Sequence, residues 1–321
     1  MNSLGKQSVD PWLVEILACP VCGSDVKVNS EALICTNDKC KLGFRVVDGI
    51  PIMISQYSKH REYEKQYFDR EFNSYDKYEL ENWRISYLQR IFSALNIGNN
   101  SSDLYLDIGV GGSGYTVIEA ARRGCKSVGM DISLEGVKKA WHFASSELAG
   151  RSNLCHFIVG LAENMPFKGS TFTKISSIAV SEHLPDDKQA IAEIDRVIKF
   201  SGRVFLTVPN AYRRILPIFW LPYYFWDKRI GHLRHYKAED LIDDFAAYGF
   251  SIDGVKYSGH LAKILQILLS NVLKIKNPKL WWKLEEQDLD NNSPTGLQLT
   301  LILKKKTSNE KIRYICLRNN K

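Results

Sequence analysis

The chain of 321 residues lacks any run of about 18 uninterrupted apolar residues, so a membrane-spanning helix is not expected. It lacks the charged-then-apolar opening of a secretory signal. Its first residues are polar, and the early apolar stretch "WLVEILAC" is broken by Glu15. Seven cysteines without such a signal point to a reducing, cytoplasmic setting, where thiols bind metal or lie buried. Acid is scarce towards the end. From Lys256 to Lys321 there are 13 Lys/Arg against 5 Asp/Glu, so the formal charge of +7 sits there and the remainder is near neutral. That asymmetry suggests an anionic neighbour, nucleic acid or membrane phosphate, or simply a solvated surface.

Four cysteines are present where they matter. Cys19, Cys22, Cys35 and Cys40 are spaced C-x2-C-x12-C-x4-C within a short segment. Two close pairs on tight turns, with a hairpin between them, place four thiolates around one Zn²⁺. Pro20 and Gly23 suit the first turn. The competing reading is four free or disulfide-bonded cysteines. So small a module has too little core to stand alone, and a structural metal supplies the missing folding energy. Four thiolates leave no open position, so this zinc is expected to be structural.

Beyond a charged, aromatic segment read as connecting helices, "DLYLDIGVGGSGYTVIEAARRG" reads as strand, glycine-rich loop and helix. "KSVGMDIS" follows as a second strand ending on Asp131, about twenty residues after the glycines. Strand, loop, helix, strand and acid in that order describe a nucleotide-binding unit of a Rossmann-like α/β fold. A dinucleotide and S-adenosylmethionine both remain open at this level. The former needs its pyrophosphate at the helix N-terminus.

Two family resemblances narrow the choice. "LVEILACPVCG" with "FRVVDGIPIMI", about residues 12–54, resembles the small zinc-ribbon proteins that act as activating partners of tRNA and protein methyltransferases. "LDIGVGGSG" resembles the D-x-G-x-G-x-G frame of class I methyltransferases, with the last glycine displaced to Gly114. "FIVGLAENMPFKGSTFTKISSIAVSEHLPD" and "AIAEIDRVIKFSGRVFLTVPN" extend that likeness from Asp103 to about Tyr257. It implies a seven-stranded Rossmann-like methyltransferase domain preceded by a small zinc-ribbon β domain. The expected boundaries are 1–56 for the ribbon, 57–98 for a helical connector and 99–306 for the methyltransferase domain. Apolar insertions occupy 211–231 and 260–294, and 307–321 is a basic tail.

The same resemblance implies a cofactor site for S-adenosylmethionine at Asp107, Gly109, Gly111, Gly112, Gly114, Asp131, Ile132, Ala162 and Glu163. Asp131 would take the ribose hydroxyls; its bland alternative is a helix cap or exposed strand end. Leu161 stands where an acid often binds the adenine amino group, and Thr173 replaces a customary aspartate. His183, with Glu182 beside it, is the candidate base if the acceptor must lose a proton. In ubiquinone-pathway O-methyltransferases, which the stretch also resembles, a Glu-x-x-Glu-His motif can hold a metal. Here Ala179 stands at the first glutamate, and no catalytic metal is expected. "GHLRHY" resembles an acceptor-side loop, which implies substrate-binding roles for His232, Arg234 and Tyr236. A capping and salt-bridge cluster is the alternative.

The insertions "ILPIFWLPYYFWDKRIG" and "HLAKILQILLSNVLKIKNPKLWWKLEE" are greasy and aromatic. A lipid acceptor or membrane surface and a packing or dimer contact weigh equally for them. Interleaved aliphatics disfavour nucleic acid. The expected function is methylation, at oxygen, of a small-molecule or lipid-linked acceptor, with peripheral membrane contact as a variant of the cytoplasmic setting. A tRNA or protein methyltransferase with a built-in activator is the first alternative. A non-catalytic scaffold is the second.

Overall fold

The computed structural model describes residues 9–307 other than 31, 74–77, 81, 100, 149, 213–216, 218–219, 261–282, 285 and 290–291. Most of the second greasy insertion and almost all of the basic tail lie outside the described residues.

Two sheets are present. The small one has the order β1-β2-β3-β4, built from Val26–Asn29, Ala32–Cys35, Gly43–Val47 and Ile50–Pro51, all antiparallel. The large one has seven strands: β5 (Leu104–Ile108), β6 (Lys126–Asp131), β7 (Cys155–Val159), β8 (Phe172–Ile178), β9 (Ile198–Pro209), β10 (Phe250–Ser258) and β11 (Gln298–Lys305). Their order is β10-β11-β9-β8-β5-β6-β7. β5, β6 and β7 pair in parallel, while β11 runs antiparallel to both β9 and β10. The expected ribbon followed by a Rossmann-like sheet is therefore what the chain forms. Its residues group into two compact units, 1–78 with 97–175 and 186–202, and 79–96 with 176–185 and 203–321.

In the first unit the helices are α1 (Pro11–Ile16), α2 (Lys59–Asn73), α4 (Tyr115–Arg122), α5 (Leu134–Glu147) and α6 (Asp187–Val197); α3 (Asn82–Leu95) belongs to the second. Their starts follow local chemistry. Asp10 accepts from Trp12 N at 3.0 Å, with Pro11 at the first helical position. Ser133 caps α5 through Gly136 N at 2.9 Å, and Asp186 caps α6 through Gln189 N at 2.9 Å. α6 buries Ala190, Ile191, Ile194 and Val197, one stripe at helical spacing. β5 and β6 are buried almost throughout, as expected of central parallel strands.

The ribbon is seated on the edge of the large sheet. Ile52 pairs in parallel with Val159 of the edge strand β7, and Met53 N donates to Val159 O at 2.8 Å. Ala18 N donates to Pro166 O at 2.9 Å, and Leu17 bridges to Phe167. Trp12 packs its ring 4.8 Å from His156 and donates Nε1–H to Asn153 O at 2.9 Å. An open strand edge is thereby satisfied by backbone from the same chain. "DGIPIMI" is the segment that does it, with Ile50 and Met53 buried.

In the second unit α7 (Trp220–Ile230) and α8 (Ala238–Ala247) follow β9. Among the described residues no helix is long and apolar enough to cross a membrane.

Candidate functional site

The glycine loop joins β5 to α4. Gly109, Gly111 and Gly114 take left-handed φ of 73°, 62° and 61°, a region open to glycine at no steric cost. The left-handed spacing falls on 109, 111 and 114, so the displaced last glycine is a structural member of the loop. A side chain at Gly114 would also crowd Ala140 Cβ at 3.0 Å. Asp107 is buried and accepts the hydroxyl hydrogen of Thr116 in the first turn of α4, which braces loop and helix together.

Asp131 ends β6 beneath this loop. Its Oδ2 accepts from Gly111 N at 2.9 Å and its Oδ1 from Ser133 N at 2.9 Å. Burial pushes its carboxyl up to about 6, against the backbone donors of Ser133, Gly111 and Ile132. The carboxylate keeps lone-pair capacity for a further donor. A bare, left-handed main chain facing a preoriented carboxylate fits the amino-acid and ribose parts of S-adenosylmethionine.

α2 closes over the same region. Asp69 accepts the Ser133 hydroxyl at 2.6 Å, and the Phe72 ring lies 3.5 Å from where a Gly111 Cβ would be. Glu163, expected beside adenine, is ion-paired with Arg61 of α2, which also holds Glu64 at 2.5 Å. Ala162 is buried next to it, and Ile132 is half-buried after Asp131. Thr173 accepts from Leu104 N at 3.1 Å and donates to Asp103 at 2.8 Å, tying β8 to β5 in place of the missing aspartate.

The four ribbon cysteines converge. Their sulfurs all lie within 4.8 Å of one another, with Cys19–Cys40 at 3.8 Å and Cys22–Cys35 at 3.4 Å. The edge of a Zn–thiolate tetrahedron is about 3.8 Å, from Zn–S bonds of about 2.3 Å. These distances far exceed a disulfide bond of about 2.05 Å. Desolvation pushes the Cys35 thiol up to about 12, and a bound cation favours its thiolate. The cluster is built to hold a metal.

In the second unit, a turn at Ser181–His183 follows β8, preceded by Ala179 with a left-handed φ of 55°. A non-glycine residue there costs about 1–2 kcal/mol. The bend turns Glu182 inward, where it is 1 % exposed. Burial pushes its carboxyl up to about 8. The loop 231–236 is laced to this turn: Leu233 N donates to Glu182 O at 2.8 Å, Tyr236 OH to Ser181 O at 2.9 Å and Arg234 to Pro185 O at 3.1 Å. Arg234 and Tyr236 thus brace the turn. His183 and His232 lie with ring centroids 5.0 Å apart.

Asp227 is the residue that sequence reading missed. It accepts from His232 Nδ1 at 2.7 Å, His235 Nε2 at 2.6 Å and Tyr212 OH. Desolvation alone would raise its carboxyl, but these hydrogen bonds outweigh it and hold it well below the usual range. One signal was available: Asp227 is the lone acid in "ILPIFWLPYYFWDKRIG".

A seven-stranded sheet with a left-handed glycine loop after β5 and a buried acid at the end of β6 has the form of a class I methyltransferase fold. Residues 106–206 match the methyltransferase domain family, and residues 10–49 match the Trm112p-like protein family. The chain therefore carries a class I methyltransferase domain preceded by a Trm112p-like module able to bind metal.

An uncharacterized protein of Methanocaldococcus jannaschii is 33 % identical over 150 residues, 46 % of this chain and 52 % of that protein. Norajmaline N-methyltransferase of Rauvolfia serpentina is 34 % identical over 112 residues, 35 % of this chain and 37 % of the enzyme. The chain thus spans about half, or less, of the length of these curated relatives. In fold it is similar to one chain of the complex between the Haloferax volcanii Trm112 methyltransferase activator and the putative methyltransferase. The TM-score is 0.52 at 16 % identity, over 79 % of this chain and all of that one.

Proposed function

We propose that this chain is an S-adenosylmethionine-dependent methyltransferase with its activator module fused in cis, acting on a macromolecule, tRNA or protein. The observation that carries methyl transfer is the buried Asp131 carboxylate aligned by Gly111 N–H under a side-chain-free loop. When bound, the cofactor supplies a methyl group activated on a sulfonium. Asp131 would hold the two ribose hydroxyls, and the main chain at Gly109–Gly114 would accommodate the amino-acid end. Ala162 would lie against the adenine, beside Glu163, which Arg61 holds.

The acceptor assignment rests on the ribbon. Sequence reading placed a small or lipid-linked acceptor first. Norajmaline N-methyltransferase matches only 35 % of this chain, whereas the Trm112p-like match falls on the ribbon module itself, residues 10–49. Its four cysteines hold a structural Zn²⁺ and keep the Ile52–Val159 seam in register. A small or lipid-linked acceptor is the second reading, favoured by the exposed Trp220, Leu221, Tyr224 and Phe225 on α7. Glu182 and His183, with His232 beside them, would take up the acceptor's proton where it carries one.

Incubation of cell extract with the purified protein and cofactor labelled on its methyl group tests the assignment. Label in the RNA or protein fraction supports the first reading. Label only in extractable metabolites or lipid supports the second. No label in any fraction, with wild-type cofactor binding intact, removes the catalytic reading.

A further inference from the structure

The second unit contains a set of donor atoms that hydrogen bonding leaves incomplete. His232 Nδ1 lies 2.7 Å from Asp227 Oδ1. Asp227 already accepts from Tyr212 and His235, so it is an acceptor and His232 Nδ1 carries the hydrogen. The lone pair of the neutral imidazole is then on Nε2. That atom faces Glu182 Oε1 at 3.7 Å, too far for a hydrogen bond and with an acceptor on each side. Glu182 Oε2 is buried and has no hydrogen-bond partner among the described residues. Once ionised, a carboxylate so placed, beside a lone pair, is stabilised by a cation.

Glu182, His183 and His232 each offer a ligand atom within 4.8 Å of the others. We propose that these three residues bind a divalent transition-metal ion, distinct from the ion of the cysteine cluster. Two imidazoles with one carboxylate suit Zn²⁺, Fe²⁺ or Co²⁺ rather than the all-oxygen shells of Ca²⁺ and Mg²⁺. Three protein ligands leave a position open for water or an oxygen of a bound molecule. Asp227 is the outer partner that fixes the His232 tautomer, and it is itself held by His235 and Tyr212. Sequence reading counted against a metal because Ala179 offers no ligand. The fold instead brings in His232, 49 positions after His183. With the ion bound, His183 is a ligand rather than a free base. The site does not depend on methyl transfer being the activity.

The test is metal stoichiometry of the full chain. Wild type, Glu182→Gln, His183→Ala, His232→Ala and Asp227→Asn are equilibrated with Zn²⁺, desalted and analysed by plasma mass spectrometry. Two equivalents are expected in wild type and one in the Gln and Ala variants. The remaining equivalent, on the cysteines, reports a folded ribbon, and circular dichroism checks the other unit. Asp227→Asn is expected to weaken the second site by about 10–100-fold. Cobalt substitution gives an independent readout: the wild-type minus Glu182→Gln difference spectrum carries a visible band without thiolate charge transfer. One equivalent in folded wild type, with His232 protonated between its two carboxylates, overturns the proposal. So do two equivalents retained in all four variants.

Discussion

Gly111 donates its main-chain N–H to the Asp131 carboxylate across 2.9 Å, joining the end of one strand to the loop after its neighbour. One buried acid thus orders the loop. The arrangement carries a proton cost that can be measured. The folded chain holds the Asp131 proton up to about pH 6, whereas an unfolded aspartate releases it near 3.8. The group's contribution to stability is therefore full below the unfolded value and falls as pH rises towards 6, by about 3 kcal/mol. Hydroxyl donors favour the ionised form. Affinity for S-adenosylhomocysteine is expected to rise with pH and level off above about 6, with binding at pH 5 about tenfold weaker. Calorimetry between pH 5 and 8 reads this. Asp131→Asn is expected to bind weakly and without that slope.

The cysteine cluster makes a prediction about local stability. Removing its metal with a chelator, or Cys35→Ser, is expected to unfold the small sheet before the large one. Hydrogen exchange is the readout. Amides of residues 26–47 lose protection, while those of Leu104–Ile108 keep it. Simultaneous loss in both segments would show that the seam at Val159 couples them fully.

Packing under the glycine loop leaves no room for growth. A Cβ on Gly129 would lie 2.7 Å from Phe157 Cδ1 and 2.9 Å from Val110 Cγ2. Gly129→Ala is expected to destabilise the chain by about 1–3 kcal/mol. Gly98→Ala, with nothing within 4 Å, serves as the control. Denaturant melts compare the two.

The seam between ribbon and sheet is testable by truncating a side chain. Met53 is almost fully buried, and its N–H bonds Val159. Met53→Ala is expected to cost about 2–5 kcal/mol, seen as a lower melting temperature with zinc content unchanged. A melting temperature equal to wild type would mean that the seam adds little.

Much of this was legible because it is local. Cysteine spacing, the strand–loop–helix–acid order and the caps at Ser133 and Asp186 depend on residues a few positions apart. Asp227 was not legible in the same way. Its partners Tyr212, His232 and His235 are brought to it by a helix and a loop, and periodicity says nothing of which carboxylate meets which imidazole. Ala179 gives no hint in sequence of its left-handed bend, because tertiary packing imposes it. Thr173 was read as a replacement for a customary aspartate. In the fold it links β8 to Asp103 and Leu104 at the start of β5. The ion pair of Glu163 with Arg61 spans about a hundred residues and leaves no local trace.

The cofactor cradle is tested most directly by titrating S-adenosylhomocysteine into the zinc-loaded chain at pH 7.5 in a calorimeter, beside Asp131→Ala. A single saturable site, at least about tenfold weaker in the variant, is the predicted result, since hydrogen bonds to a charged group contribute about 1.5–3 kcal/mol. No saturable heat from the folded wild type, or equal affinity in both proteins, would contradict it.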